Sequence, residues 1–566
     1  MVMNMALELN LFNRAGSPVP PIVYPSGKSQ VDLVDEIIAA FKDSDVVFLK
    51  GVVGSGKSVV GMRVALEMGK GAVSVPTKVL SDQYIKSYER NLWFKHPTKG
   101  CPVGIGILKG RQNYRCPYTL DHRSCASSRL PCTRLLEKGE SRVSSLAKCP
   151  YWGFIFSVDS KANSELNPDT KKRMRVLSYL GVDGHRWNIY LNEGCPYWEQ
   201  FVSYFTSDII VLNSAKWAAE VLIGRFPKVA LTVVDEGDHW LDSLAVKVIV
   251  SEERIAGIKE RLAGEKEARE RTRRVLEDED LIRKLDKSWE AAVNGNARDL
   301  VETLVRVLGT LDETDSDFFW RLSAILENYE HVETRVEEGR ITYCIPHPGL
   351  LLKKFMTRVG GKWLLMSATC QSEDVLRDVF ELKASFVEGR TEFPGRIMPR
   401  TTGLEQEVTY VAWAGSAFRE RYWKCLSRIV SDAAKPAFVP VHALKYLPPE
   451  TRFSFEANRA SDFNEVDGVI YSTKMDRGVD LQEYRSVILL KFPFSDVSDP
   501  LLKGMLRRFG PGRFWRYYRD IAIRGFVQQV GRVVRSDDDE IEFWRPDARC
   551  HSELAKLWTG TIEGSL

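Results

Sequence analysis

The segment Gly51-Val-Val-Gly54-Ser55-Gly56-Lys57-Ser58 carries the clearest chemistry in the chain. Its glycines let backbone N–H groups wrap a row of phosphates, and the helix that follows adds its positive end. Lys57 then reaches the β- and γ-phosphates, while the Ser58 hydroxyl ligates Mg²⁺. Gly51, Gly54, Ser55, Gly56, Lys57 and Ser58 are therefore candidate triphosphate-binding residues. A magnesium shell also needs a carboxylate at the end of a neighbouring strand, and Val233-Val234-Asp235-Glu236 supplies one. Asp235 is the expected Mg²⁺ residue and Glu236 the general base that orients and deprotonates the attacking water. An acidic pair after a strand is also an ordinary turn, so this reading draws its weight from the phosphate loop. Near the far end, Gln528-Gln529-Val530-Gly531-Arg532-Val533-Val534-Arg535 would place Gln528, Arg532 and Arg535 on one helical face. Two guanidiniums and an amide suit a γ-phosphate whose charge spreads in the transition state. Seen alone, the same face is a solvated, ion-pairing helix. Because these groups come from distant parts of the chain, they predict two domains whose closure is linked to hydrolysis.

Short apolar runs bounded by Gly, Pro, Ser or Asp and alternating with helical patterns must position those groups, which is the pattern of parallel α/β domains. Strands are expected at Val46–Leu49, Ala72–Val75, Ile209–Leu212, Val229–Val234 and Trp363–Leu365. A second set is expected at Val408–Val411, Ala437–Val441, Val469–Tyr471 and Val487–Leu490. Two stretches break the rhythm. Residues 101–195 are rich in Cys, Arg, Pro and Gly with little strand pattern, and residues from about 251 to 338 are highly charged and helix-patterned. Both read as insertions into the first α/β domain.

A chain of 566 residues is too long for one core and has room for three or four compact units. Charged residues at 28% and hydrophobics at 44% exclude wholesale disorder. No run of apolar residues is long enough to span a membrane, and the first residues lack a secretory pattern. A cytoplasmic protein is the expectation. The net charge of +4 says little, but between Cys101 and Gln200 fifteen Lys and Arg face nine Asp and Glu. Such a basic module suits a phosphate backbone, with Arg111, Tyr114, Arg115, Trp152, Arg173, Arg175 and Trp187 interleaving cations and rings. Core packing explains such aromatics more often. A second basic-aromatic run, Arg507 to Arg519, has the same two readings. Six of the ten cysteines fall between Cys101 and Cys195. In a reducing compartment that clustering points to a metal or cluster site; zinc and iron–sulfur both stay open on spacing alone.

These blocks resemble the superfamily 2 helicases, and within them the XPD/DinG family of iron–sulfur DNA helicases, over nearly the whole chain. Gly51 to Ser58 looks like motif I, Asp235-Glu236-Gly237-Asp238 like the DEAH box, and Met366-Ser367-Ala368-Thr369 like motif III. Gly478-Val479-Asp480 resembles motif V, so Gly478 and Asp480 join the nucleotide-binding candidates, and Gln528 to Arg535 matches motif VI. The resemblance implies a [4Fe–4S] cluster on Cys116, Cys125, Cys132 and Cys195. It also implies two RecA-like domains, a 5′–3′ course along single-stranded DNA, and ATP and Mg²⁺ as working partners. The expected units are motor domain 1 (1–100, 196–245, 345–395), an iron–sulfur module (101–195), a helical arch-like insertion (246–344) and motor domain 2 (396–566).

The sequence departs from the family in places. The box reads DEGD, with His239 one position late; Cys149-Pro150-Tyr151-Trp152 repeats the closing motif Cys195-Pro196-Tyr197-Trp198, so Cys149 is an alternative ligand to Cys125 or Cys195; and Gln30 is a loosely spaced candidate for reading adenine. The first expectation is a monomeric, ATP-driven helicase on single-stranded and forked DNA, away from membranes. The altered box motivates a second, a single-stranded-DNA-stimulated translocase that remodels protein–DNA complexes without separating strands. A nucleotide-sensing switch with a zinc or redox element is the third.

Overall fold

The computed structural model describes residues 9–52, 54–119, 124–127, 130–132, 142–146, 148–160, 172, 174–270, 277–310, 316–390, 395–441, 443–457, 463–472, 484–531, 533–534 and 538–557. Two α/β lobes dominate it. The first holds a seven-stranded sheet in the order Ser385–Glu388, Val46–Lys50, Lys362–Ser367, Leu231–Asp235, Gly71–Val75, Ile209–Asn213, Ile105–Leu108. Every neighbouring pair in it is parallel. Its inner strands are buried along most of their length, which is why they read as unbroken apolar runs rather than alternating ones. The strand Ile105–Leu108 lies within the stretch read as the first insertion, yet it pairs with Ile209–Asn213 as an edge of this sheet.

The second lobe holds a six-stranded sheet in the order Arg396–Pro399, Glu540–Trp544, Ser486–Ile488, Ala437–Pro440, Val469–Ser472, Phe463–Val466, parallel except for the last pair. One strand expectation fails here. Instead of a strand at Val408–Val411, Thr409 caps a short helix, Tyr410–Trp413, and Tyr410 and Val411 are both 81% exposed. Their apolar side chains mimicked a core strand but face solvent.

The first insertion contains an antiparallel sheet of Gly153–Ser157, Arg186–Leu191 and Arg175–Leu180, contrary to the poor strand pattern read there. The Arg175–Leu180 strand is exposed along most of its length, so it carries no apolar alternation. The second insertion is helical as expected, from Glu252–Glu270 to Asp317–Glu327, and is rooted on a sheet of Val246–Ser251, Arg340–Ile345 and Glu333–Glu337.

A long helix, Pro500–Val530, ties these parts together. Asp499 caps it, Pro500 occupies the first turn where no N–H is needed, and Gly510 with φ 73° breaks it ahead of Pro511. Before the break it leans on the sheet of Val246–Ser251, Arg340–Ile345 and Glu333–Glu337 through the ion pairs Lys247–Asp499 and Arg507–Glu333. Beyond the break it lies against the first lobe and ends at Val530.

Candidate nucleotide site and interlobe junction

Sheet order brings three separated blocks to one edge. The strand Lys362–Ser367 runs between the strand that feeds the phosphate loop and the strand that ends in Asp235, with Lys50 beside Ser367 and Asp235 beside Met366. Gly51 N–H donates to the Ser367 carbonyl at 3.1 Å. The loop then turns through Gly54 (φ 80°) and Gly56 (φ 75°) into the helix Lys57–Met68. Gly56 is required twice: its backbone is left-handed, and a Cβ there would stand 2.2 Å from Gln30 Nε2. Gln30 is buried against the loop, its Nε2 donating to the Gly56 carbonyl at 3.2 Å and its Oε1 accepting from Ile22 N–H at 2.9 Å. Lys57 Nζ donates to the carbonyls of Gly51 (2.5 Å) and Val52 (3.0 Å).

Asp235 accepts from Tyr84 Oη at 2.9 Å, and Ser58 bonds to the hydroxyls of Tyr84 and Tyr88. Burial, and then the neighbouring Glu236 carboxylate, push Asp235 up to about 6. Glu236 is left-handed (φ 53°, ψ 49°) at the start of the helix Gly237–Ser243. Non-glycine residues held there carry strain of about 1–3 kcal/mol, which clusters at functional sites. The next residue has no room for a side chain, since a Cβ on Gly237 would meet Leu365 Cβ at 2.9 Å.

Asp238, where the family's histidine stands, is fully buried and gathers the junction. Its carboxylate accepts from Ser367 Oγ and Thr369 Oγ1 at 2.7 Å each, and from Gln528 Nε2 at 2.9 Å. Ser367 Oγ is also 3.1 Å from Glu236 Oε2, and Gln528 Nε2 is 3.0 Å from Thr369 Oγ1. A continuous polar path therefore runs from Glu236 to the second lobe. Arg524, one helical turn before Gln528, is buried beside it and bonds to Asp238 (3.3 Å), Asp242 (2.8 Å) and Asp520 (2.7 Å). Gln371 Nε2 donates to the Asp238 carbonyl at 2.7 Å.

Of the sequence-predicted residues, Gly51, Gly54, Ser55, Gly56, Lys57, Ser58, Asp235, Glu236 and Gln528 are thus brought to one junction. Arg532, Arg535, Gly478 and Asp480 lie outside the described residues. The described helix that carries Gln528 ends at Val530. His239 sits half-buried on the helix Gly237–Ser243. Arg524, Gln371 and Tyr84 were missed. Arg524 had a usable signal, since it stands four residues before Gln528 and so shares its face.

In the first insertion, Cys116, Cys125, Cys132, Cys149 and Cys195 line one small cavity with Arg111, Trp152 and Trp198. Arg111 Nη1 lies 3.5 Å from Cys132 Sγ, and its guanidinium stacks 4.0 Å from the Tyr197 ring centre. A hydrogen bond from Cys125, with backbone N–H groups of Trp198 and Tyr197, holds Cys195 down at about 7. Burial pushes Cys149 up to about 11. Among the described residues, no group of three or more His, Cys, Asp or Glu is arranged to hold a single metal ion. Several aromatics read as base-stacking rings are interior instead: Trp152 is buried and stacks on Phe154 at 4.9 Å, and Tyr114 Oη donates to Gln200 at 2.7 Å. Arg115 and Arg175 remain exposed, and Arg173 lies outside the described residues.

A cavity of about 920 Å³ opens in the second lobe, lined among others by Tyr410, Arg419, Lys445, Lys491, Trp515 and Arg549. Trp515 is 48% exposed.

Fold and site together define a two-lobed phosphate-loop architecture of the helicase type. Residues 457–558 match the family described as the helicase C-terminal domain. The fold is that of solved XPD helicases. An XPD helicase structure is 15% identical, with a TM-score of 0.57 over 94% of this chain and 98% of that one. A second, named as apo XPD, gives 14%, 0.53, 94% and 100%. Xpd4 of S. tokodaii gives 14%, 0.50, 94% and 99%. No curated protein matches. The likeness to XPD/DinG-type superfamily 2 helicases read from the sequence holds for the overall fold and the C-terminal domain. Among the described residues, no helix is long and apolar enough to cross a membrane.

Proposed function

We propose that the chain is an ATP-driven DNA helicase that moves 5′–3′ along a single strand. The observation that carries this reading is the polar path Glu236–Ser367–Asp238–Gln528, which joins the expected water-activating base to the second lobe. A switch that only senses nucleotide has no need of such a connection.

In this reading Gly51, Gly54, Ser55, Gly56 and Lys57 grip the phosphates of ATP. Ser58 and Asp235 present hard oxygens side by side at Tyr84, a donor set that fits Mg²⁺. The ion would supply charge neutralisation between the β- and γ-phosphates. Glu236 takes the proton of the attacking water. Arg532 and Arg535, one and four positions after Gly531, are assigned to the γ-phosphate, and Gly478 and Asp480 to the nucleotide cleft from the second lobe. Asp238, at the position of the histidine in the box this one resembles, accepts from Gln528 and Arg524 and so registers lobe closure.

Five sulfurs and a guanidinium around one cavity fit a cluster that takes four thiolates, and they support the [4Fe–4S] assignment to this module. Such a cluster would staple the segments carrying Cys116, Cys125, Cys132, Cys149 and Cys195. The concave face of the second lobe supports a single-strand path, since Arg419, Lys445, Lys491 and Arg549 outnumber Asp496 there and Tyr410 and Trp515 offer exposed rings.

The test is strand displacement on duplexes with a 5′ or a 3′ tail, comparing the native chain with Lys57→Ala. Displacement from the 5′ tail only, lost in the variant, is expected. Hydrolysis stimulated by single strands with no displaced strand would instead make the chain a remodelling translocase.

A further inference from the structure

A four-iron cluster takes four thiolates, yet the cavity has five cysteine sulfurs in its wall. Cys125 and Cys149 each open on that cavity beside Cys116, Cys132 and Cys195, and each thiol feels the charge of those three. All but Cys132, which is half-buried, are buried.

The two contenders are held independently. Cys125 follows a bridge between Arg115 and Ser124, and its N–H donates to the Tyr114 carbonyl at 2.9 Å. Its thiol side bonds to Cys195. Cys149 closes the short helix Arg142–Leu146, its N–H donating to the Leu146 carbonyl at 2.9 Å. It opens a Cys-Pro-Tyr-Trp turn that repeats the one at Cys195. In both turns the tryptophan N–H returns to the cysteine carbonyl, at 3.3 Å for Trp152 and 3.0 Å for Trp198. Both turns also aim the tyrosine N–H at the cysteine sulfur. Backbone N–H donors to sulfur are a recurring support for cluster ligands. Cys149 therefore sits in the same kind of turn as Cys195, while Cys125 shares the cavity wall with the other sulfurs.

Resting on the cluster assigned above, we propose that the fourth ligand position is shared: Cys125 and Cys149 are interchangeable, and either one completes the site with Cys116, Cys132 and Cys195. The module then keeps its cluster when one of those two thiols is lost to damage or substitution.

The experiment uses the full chain purified without oxygen, with iron and acid-labile sulfide counted per chain. Cys125→Ala and Cys149→Ala should each hold the native content, about four irons for a [4Fe–4S] centre. The double variant and Cys116→Ala should lose most of it. Cys101→Ala, an exposed cysteine off the cavity, should change nothing. Electron paramagnetic resonance of the reduced single variants should give two distinguishable signals, since each leaves a different fourth ligand. Far-ultraviolet circular dichroism and melting curves separate ligand loss from misfolding, and serine versions of both variants keep the comparison open should either alanine version misfold. Iron lost from one single variant and not from the other would overturn the proposal in favour of a fixed ligand set. Full iron in the double variant would overturn it as well, because neither thiol would then be a ligand. A native chain without iron would remove the cluster reading itself, an outcome distinct from both.

Discussion

Gln528 Nε2 sits 2.9 Å from Asp238 Oδ2, a contact between the long helix Pro500–Val530 and the box that carries the acid pair of the first lobe. Because Asp238 also accepts from Ser367, and Ser367 reaches Glu236, the contact links the second lobe to the residue proposed to activate water. Removing Gln528 should therefore cut turnover more than it cuts binding. A hydrogen bond to a charged group contributes about 1.5–3 kcal/mol, or roughly 10- to 100-fold in rate. Gln528→Ala is expected to lower kcat for ATP hydrolysis on single-stranded DNA by that factor, with KM for ATP little changed. Steady-state kinetics decide it, and an unchanged kcat would reduce the contact to lobe packing.

Arg524 answers for more charge than any other buried cation at the junction, since Asp238, Asp242 and Asp520 all turn toward it. Removing one partner of a buried ion pair costs about 3–5 kcal/mol because the remaining charges stay buried. Arg524→Met should lower the melting temperature by several degrees, and adding Asp242→Asn should recover part of the loss. A double variant that melts no higher than Arg524→Met would show that the carboxylates find other compensation.

Gly237 stands where the DEAH box that this sequence resembles has alanine, one methyl group larger. A Cβ there would meet Leu365 at 2.9 Å to its Cβ and 3.2 Å to its Cα. Overpacking of this kind costs about 1–3 kcal/mol. Gly237→Ala should destabilise the first lobe in a melting experiment, and Leu365→Ala should not relieve it, because alanine keeps the Cβ and backbone atoms that make the contact.

What the sequence made legible follows from period and polarity. The strands of the first lobe are buried on both faces, so Val46–Lys50 and Ile209–Asn213 announced themselves as apolar runs. The phosphate loop and acid pair were legible because their spacing is set by the ligand rather than by neighbours in the fold. Arg524 was passed over despite standing four residues before Gln528, because an arginine just beyond the basic run Arg507–Arg519 looks like surface until its three carboxylate partners are known. Tyr410 and Val411 misled in the opposite sense, as apolar residues on an exposed turn. The sheet of the first insertion was hidden because its outer strand, Arg175–Leu180, buries little.

The second-lobe cavity makes a separable prediction for nucleic acid. Stacking of a base on an aromatic side chain contributes about 1–3 kcal/mol, and Trp515 is half-exposed at the cavity rim. Trp515→Ala should weaken single-stranded DNA binding by roughly 5- to 100-fold with the salt dependence unchanged. Lys445→Ala should instead reduce the slope of log affinity against log salt by about 1. Fluorescence anisotropy across a salt series distinguishes the two, and equal slopes for native chain and Lys445→Ala would place the strand elsewhere.

Asp235 gives the junction a pH signature. Burial and the Glu236 charge raise its carboxyl to about 6, whereas an unfolded aspartate titrates near ~3.9. The folded chain therefore binds that proton more tightly than the unfolded one. Keeping Asp235 ionised costs stability above pH ~6, and this cost shrinks as pH falls through that value and is gone below about 4. Asp235→Asn keeps an acceptor for Tyr84 Oη without the charge, so without Mg²⁺ it should melt higher than the native chain at pH 8 and alike at pH 4. Magnesium competes with the same proton, and the native chain's apparent Mg²⁺ affinity should be flat above pH 7 and fall about tenfold per unit below 6. Calorimetric melting at the two pH values and Mg²⁺ titrations of ATP turnover provide the readings. An Asn variant that melts lower than the native chain at pH 8 would show that the carboxylate is compensated at rest by a charge such as Lys57, and the pH window would then belong to another group.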